Sequence, residues 1–109
     1  MKSKVTKYMD ICICCGEPAT DTHHLLFGTF GRKFADNHGL IIPLCRSCHT
    51  SAERISERIH DNPRAEDLCK LLGQAIWERN YYKDLYYNLN RDEDEARERF
   101  IELYGQSFM

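Results

Sequence analysis

The sequence lacks a long apolar stretch, a large net charge and any internal repeat. No apolar run approaches the roughly 20 residues of a transmembrane helix, which argues against a membrane protein. The formal net charge is only -2, which argues against a protein that coats nucleic acid without selectivity. The chain opens on polar residues instead of a leader peptide, so we expect a cytosolic protein.

Six cysteines stand out in this chain of 109 residues. In a reducing compartment they are expected to be metal ligands or buried thiols, with disulfides as the less favoured alternative. Four of them form two C-x-x-C pairs, Cys12 with Cys15 and Cys45 with Cys48. Two cysteines at this spacing lie on one tight turn, and two such turns complete a tetrahedral zinc site. Cys14 offers a second register, but Cys12 with Cys15 has the better geometry. We therefore predict one structural zinc that contributes much of the stability.

The apolar pattern predicts short strands followed by helices. Glycines interrupt the segment 20–42, which suggests two strands or extended segments around a long loop. Apolar residues at helical spacing then predict a helix that starts at the second cysteine pair. The residues of that repeat are Cys48, Ala52, Ile55 and Ile59.

Two further helices are predicted in the C-terminal half. Asn62 as N-cap with Pro63 at the first helical position starts one of them. Its predicted core stripe is Leu68, Leu71, Leu72, Ala75 and Ile76, with Cys69 and Trp77 also buried. The last helix has the acidic residues 92–95 in its first turn and stops at Gly105. Its apolar face is predicted to carry Ala96, Phe100, Leu103 and Tyr104.

Three histidines lie near the cysteine pairs. His23 and His24 are adjacent, and His49 directly follows the last of the four cysteines. Neighbouring residues on a strand point to opposite faces, so His23 and His24 cannot easily bind one ion together and must divide the work. A neutral imidazole is suited to taking a proton at cellular pH. Histidines beside a closed zinc site therefore indicate a possible second, catalytic ion, whereas His38 is predicted to lie on a surface loop.

These motifs resemble those of the HNH endonucleases, whose ββα-metal site is commonly built into a treble clef. The matching residues are Cys12-x-x-Cys15-Gly16, Asp21-Thr22-His23-His24-Leu25 and Pro43-Leu44-Cys45-x-x-Cys48-His49. Further pieces are similar to a short phage-borne branch of that family and to the RecA-dependent recombination-enhancement nucleases. These pieces are Gly28, Arg32-Lys33, Gly39-Leu40, Ile59-His60-x-Asn62, Gly73-Gln74 and Phe100-Ile101-x-x-Tyr104-Gly105.

The resemblance implies an α+β fold with a small treble-clef, ββα-metal zinc core. The whole chain, 1–109, would be one domain, with the core at about residues 10–60 and a helical extension at about 61–109. The implied function is a metal-dependent DNA endonuclease in phage DNA recombination, repair or processing, in the cytoplasm of a bacterial host. DNA and a recombinase filament are the implied partners. The alternative is a catalytically inactive treble-clef module that binds nucleic acid or a protein partner.

The resemblance also implies roles for the histidines. His24 would be the general base, while His23 and His49 would hold a divalent cation, Mg²⁺, Mn²⁺, Ni²⁺ or Zn²⁺. The third ligand is open between His60 and Glu53. A continuous helix from His49 would carry His60 about 16 Å away, so either that helix ends early or His60 is not a ligand. Glu53, four residues after His49, is the geometrical alternative.

One residue of the resembled pattern has no clear counterpart. The family's asparagine steadies the loop that bears the base, and Asn37 is the only candidate before the second cysteine pair. Gly39 or Leu40 stands nearest the expected position.

The charge is unevenly placed. Residues 1–60 carry 8 Lys and Arg against 6 Asp and Glu, a balance of +2, whereas residues 61–109 carry 7 against 11, a balance of -4. This asymmetry fits phosphate contacts near the metal sites, or an ordinary solvated surface. The candidate contacts are Arg32, Lys33, Arg46, Arg54 and Arg58.

Overall fold

The computed structural model describes the backbone of residues 2–84 and 95–109 and the side chains of 2–81 and 95–109. It is a small mixed α/β protein with a two-stranded sheet and helices, which agrees with the predicted α+β class. The elements are β1 (Asp21–His24), α1 (Gly28–His38), β2 (Ile41–Leu44), a π-helical turn (Ser47–Ser51), 3-10 turns (Ile55–Glu57 and Ile59–Asp61), α2 (Pro63–Asp84) and α3 (Glu95–Tyr104). Within the described residues, no helix combines the length and the apolar character that crossing a bilayer requires.

The two strands pair antiparallel, and α1 lies between them in the sequence. His23 pairs with Ile42 and His24 with Ile41, and every residue of β2 is buried. The prediction of a long loop between the strands was wrong, because this segment forms α1. Gly28 begins that helix, and Gly39, in the left-handed conformation, caps its end. These two glycines therefore bound the helix and do not interrupt it.

His38 is the last residue of α1 and does not lie on a surface loop as predicted. Its ring centroid is 4.4 Å from that of Phe34, and its Nδ1 accepts a hydrogen bond from Trp77 Nε1 at 3.3 Å. His38 therefore belongs to the packing between α1 and α2.

A helical turn does start at the second cysteine pair as predicted, but its predicted extent to Ile59 was wrong, because it stops at Ser51. Ala52 has φ -58° and ψ 142°, and two 3-10 turns follow. The segment 47–51 reads Ser-Cys-His-Thr-Ser, and all of these residue types have weak helix propensity. Of the apolar repeat, Ile55 is 59% exposed and leaves the core, whereas Ala52 is buried and Cys48 and Ile59 pack against the core.

Helix α2 begins as predicted but buries a different face. The Asn62 side-chain oxygen accepts hydrogen bonds from the backbone N–H groups of Arg64 at 3.1 Å and Ala65 at 3.2 Å, so the predicted cap is confirmed. The predicted stripe was wrong, however, since Leu68 is 66% exposed. Leu71 and Leu72 are exposed as well, Ala75 is exposed and Ile76 is only half-buried. The buried face consists of Cys69, Gly73, Gln74 and Trp77, so the predictions for Cys69 and Trp77 are confirmed.

Two residues explain why α2 is rotated toward that face. A Cβ on Gly73 would lie 3.2 Å from Leu25 Cβ, which is tighter than most such contacts, so glycine eases the close approach of the helix to the end of β1. Gln74 is fully buried, and its side chain donates to Ser107 at 2.9 Å and accepts from the Phe108 backbone at 2.6 Å. A satisfied amide can replace an apolar side chain in the core.

Helix α3 closes the core against α1 and α2. Phe100 is fully buried, and its ring centroid lies 5.7 Å from Phe34 and 5.5 Å from Trp77. Ala96 is also fully buried, whereas Leu103 is 38% exposed and leaves the predicted face. The helix stops before Gly105 as predicted. Its predicted acidic start at residues 92–94 lies outside the described residues.

Candidate metal centres

Two similar turns carry the cysteine pairs. In the first, the Gly16 N–H donates to Cys12 O at 2.9 Å, and Gly16 has φ +81°, which a side chain would strain. In the second, the Cys48 N–H donates to Cys45 Sγ at 3.4 Å. Backbone hydrogen bonds of this kind hold both sulfurs of a pair on one side of the turn.

The four predicted cysteines come together. The sulfurs of Cys12, Cys15, Cys45 and Cys48 all lie within 4.8 Å of one another, and the Cys15 and Cys45 sulfurs are 3.6 Å apart. Zinc–sulfur bonds of ~2.3 Å in a tetrahedron separate the sulfurs by about 3.8 Å. Cys14 is exposed and lies outside the group, as the preferred register predicted. The group could hold a metal ion.

The electrostatics of the thiols are consistent with a cation. Burial raises the pKa of Cys12, but hydrogen bonds from the backbone of Cys45, Cys15 and Cys14 outweigh this and lower it to about 6. Burial and hydrogen bonds to the other sulfurs raise the pKa of Cys48 above its usual value. One thiolate thus forms readily, while Cys48 resists a second negative charge unless a cation offsets it.

A second cluster consists of three histidines from three different elements. His23 comes from β1, His49 from the π-helical turn and His60 from the second 3-10 turn. One ring nitrogen of each lies within 4.8 Å of the others. The ring centroids are 5.2 Å apart for His23 and His49, 4.8 Å for His23 and His60, and 4.5 Å for His49 and His60.

The buried nitrogens of this cluster lack partners among the described residues. His23 is fully buried, and neither its Nδ1 nor its Nε2 makes a hydrogen bond, nor does His49 Nε2. An unsatisfied buried polar group costs about 1–3 kcal/mol. Burial first, and then the neighbouring imidazoles, lower the pKa of His23 to about 3, so it is neutral. Neutral imidazoles with free lone pairs are metal ligands, so the residues fit a bound cation.

The early end of the helix decides where His60 lies. Because the π-helical turn stops at Ser51, the chain folds back and His60 reaches His49 instead of lying about three helical turns away. Glu53 is exposed and does not belong to the histidine cluster. Of the two candidates for a third ligand, only His60 is placed beside the other two.

Asp21 is a site residue that the sequence interpretation did not assign. Its Oδ2 lies 2.9 Å from His49 Nδ1 and 3.0 Å from Arg46 Nε. The hydrogen bond with His49, followed by the contacts with Arg46, lowers the pKa of Asp21 below its usual value, so the carboxylate is charged. An ionised carboxylate fixes the proton of His49 on Nδ1 and turns the Nε2 lone pair toward the cluster. Asp21 and His23 are two residues apart on β1 and share a face, a signal that could have revealed this contact.

His24 lies outside the three-histidine cluster but lines a cavity together with His49 and His60. The cavity has a volume of about 210 Å³, and its lining residues are Thr22, His24, Phe27, Arg32, His49 and His60. His23 and His24 are thus separated in the way that strand alternation predicts. His24 Nε2 lies 2.7 Å from Asp36 Oδ1, another contact that the sequence interpretation missed. Asn37, the candidate for the family's asparagine, is exposed on α1.

The five candidate phosphate contacts fall into two groups. Arg46, Arg54 and Arg58 form ion pairs with Asp21, Glu57 and Asp61. Arg32 and Lys33 are exposed on α1 and form no ion pair with another described residue. Arg32 also lines the cavity beside the histidines.

The fold and the two clusters define a small mixed α/β protein with two groups of residues that could each hold a metal ion. The chain belongs to a family described as protein of unknown function (DUF968), whose model matches residues 2–64. That range contains all seven clustered residues.

A curated relative is also similar to this region. The chain is 40% identical over 52 residues to the uncharacterized protein YdfU of Escherichia coli (strain K12). The match covers 45% of this chain but only 15% of that protein. No solved structure matches the chain significantly.

Proposed function

We propose that the chain is a small metal-dependent DNA endonuclease of the HNH type that hydrolyses phosphodiester bonds. The observation that carries the proposal is the convergence of three imidazoles on one point. Their ligand atoms lie within 4.8 Å, and three buried ring nitrogens have no partner among the described residues. A purely structural role for His23 would leave both of its buried ring nitrogens unsatisfied, whereas a bound cation would take up one ring nitrogen of each histidine.

His23, His49 and His60 would hold the catalytic cation. When bound, a divalent ion supplies positive charge that stabilises the phosphate and the leaving oxygen. Three protein ligands leave coordination positions open, as is usual in catalytic sites. Asp21 keeps His49 in the tautomer that presents its Nε2 lone pair.

His24 would be the general base. It faces the same cavity as His49 and His60 but does not belong to the ligand cluster. In hydrolysis, it would accept a proton from a water molecule while the water oxygen bonds to phosphorus and the bond to the leaving oxygen breaks.

The four cysteines would hold a structural zinc in a treble-clef core. Four sulfur ligands would close the coordination sphere of the ion, so the site would have no open position for substrate. The second cysteine turn leads directly into the turn that carries His49. A zinc ion there would fix the position of His49 as well as the fold.

DNA would lie across the exposed side of α1. Arg32 and Lys33 are cations without an ion-pair partner in the part of the chain that the structure describes, and Arg32 lines the cavity next to His24. Phosphate contacts through Arg and Lys supply most of the affinity for a nucleic acid without regard to its sequence. The resemblance to recombination nucleases extends the proposal to DNA recombination, repair or processing, with a recombinase filament as a partner.

A plasmid-nicking assay tests the proposal. Purified protein is incubated with supercoiled DNA and Mg²⁺, Mn²⁺, Ni²⁺ or Zn²⁺, with EDTA as the control. We expect nicking with at least one ion and none with EDTA. If the folded protein fails to nick DNA with each of the four ions but binds DNA fragments or a protein partner, the inactive binding module replaces the nuclease.

A further inference from the structure

The candidate base has a carboxylate partner on α1. His24 Nε2 and Asp36 Oδ1 are 2.7 Å apart, which is in the range of charge-assisted hydrogen bonds and shorter than a typical neutral one. The two side chains are 16% and 42% exposed, so the contact lies at the edge of the cavity.

The fold holds both partners in place. His24 is the last residue of β1 and Asp36 lies in the final part of α1. The residues next to them are in the core, because Leu25 and Ala35 are fully buried. Backbone hydrogen bonds from Leu25 to Leu40 and from Leu40 to Ala35 join the strand to the helix end, at 3.0 Å and 2.9 Å. The spacing between the two side chains is therefore fixed by the core.

This contact selects one tautomer of His24. An ionised carboxylate can only accept hydrogen bonds, so the proton of the neutral ring must be on Nε2. The lone pair is then on Nδ1, which makes no hydrogen bond to any other described residue. In a histidine, the partner of one nitrogen decides the chemistry of the other.

We propose that Asp36 is a positioning residue that holds His24 as the Nε2–H tautomer, so that Nδ1 is the atom that takes the proton. The inference rests on the proposed nuclease function. The water oxygen bonds to phosphorus, its proton goes to Nδ1, and the bond to the leaving oxygen breaks. The carboxylate of Asp36 stabilises the imidazolium that results, and the ring later returns its proton to solvent while the leaving oxygen takes one.

The neighbouring residue offers a matched control. Asn37 follows Asp36 on α1, is exposed, and makes no hydrogen bond through its side chain to another described residue. If the base were steadied by the asparagine that the resembled family uses, Asn37 would be the residue to change. The geometry assigns the task to Asp36 instead.

The kinetic test compares Asp36→Ala, Asp36→Asn and Asn37→Ala in the nicking assay. Asp36→Ala is expected to lower kcat by about 10–100-fold, with KM and the ion concentration for half-maximal rate unchanged. The kcat of Asp36→Asn should lie between those of Asp36→Ala and the wild type, because its amide oxygen can still accept a hydrogen bond from Nε2–H. The kcat of Asn37→Ala should match that of the wild type. A role in folding alone would lower the melting temperature and leave kcat of the folded fraction unchanged, which would overturn the inference.

A spectroscopic test is independent of activity. Nitrogen-15 spectra of the imidazoles, with His24 identified by its loss in His24→Ala, should show a protonated Nε2 and an unprotonated Nδ1. Asp36→Ala should give a mixture of tautomers. A wild-type His24 with its proton on Nδ1 would overturn the inference.

The two tests separate the possible failures. If the wild type nicks DNA and Asp36→Ala is equally active, the positioning role fails and the nuclease stands. If the wild type does not nick DNA under any of the conditions, the proposed nuclease function is wrong. The catalytic role of Asp36 is then wrong as well, whatever tautomer the spectra report.

Discussion

The cysteine cluster and the histidine cluster are built in opposite ways. The four cysteines come from two turns of nearly the same design, and three of them are partly or largely exposed. The three histidines come from a strand and two separate helical turns, and His23 is fully buried. A closed set of four sulfurs is suited to holding the chain together, whereas three imidazoles beside a cavity leave room for a substrate. In the proposed function, an ion at the cysteines would stabilise the fold and an ion at the histidines would take part in the reaction.

The largest effect is expected at the cysteine cluster. Cys45→Ser should remove the structural ion and unfold the core, because zinc binding in such sites is worth roughly 10–16 kcal/mol, as much as the whole stability of a small domain. Elemental analysis and a thermal melt followed by circular dichroism measure both effects. Cys14→Ser is the matched control and should keep the ion and the fold. A Cys45→Ser protein with the metal content and melting temperature of the wild type would contradict the structural role.

In the cavity beside the histidine cluster, losing the base should affect only the rate. His24→Ala is expected to lower nicking by about 10²–10⁴-fold, with the metal content and melting temperature unchanged, because His24 lies outside both ligand groups. His38→Gln removes another histidine from the same half of the chain and should keep the rate. Near-wild-type nicking by a clean His24→Ala preparation would exclude His24 from the mechanism.

A smaller effect is expected where a carboxylate orients a ligand. Asp21→Asn removes the charge that holds His49, and should weaken binding of the catalytic ion by about 10–100-fold. Isothermal titration with Mn²⁺ measures this affinity. Arg46→Gln removes the other partner of Asp21, an exposed one, and should leave the affinity close to that of the wild type. Equal affinities in all three proteins would show that Asp21 does not support the site.

The smallest effect is expected at the DNA contact. Arg32→Gln should weaken DNA binding and reduce the slope of log affinity against log salt by about 1. Arg54→Gln is the control, because Arg54 is paired with Glu57 and lies outside the cavity. Fluorescence anisotropy with a labelled duplex at several salt concentrations compares the two. If both variants show the same slope, Arg32 has no special place in binding.

The same contrast explains what the sequence could predict. Each C-x-x-C pair is a local signal, because the turn alone brings its two sulfurs together, and the register with Cys15 was therefore predictable. The position of His60 was not, because it depends on a helix that ends at Ser51 without a glycine or proline. The helix propensities of Ser, Thr and His gave only a weak indication of that end.

The helices show a similar limit. The cap at Asn62 was predictable because its signal is local. The buried face of α2 was not, since it depends on the close approach of Gly73 to Leu25 and on hydrogen bonds between Gln74 and the C-terminal residues. Asp36 was missed for the same reason, because the segment that carries it was predicted to be a loop.

Titration of the nicking rate with added Mg²⁺ or Mn²⁺ most directly tests whether the histidines form a catalytic metal centre. His49→Ala and His60→Ala should both need higher ion concentrations and should be partly rescued by them, because each loses a ligand. Glu53→Ala should titrate like the wild type, and His24→Ala should not be rescued at any concentration. If neither His49→Ala nor His60→Ala alters the dependence on the ion, the three histidines do not hold a catalytic metal and the nuclease proposal is wrong.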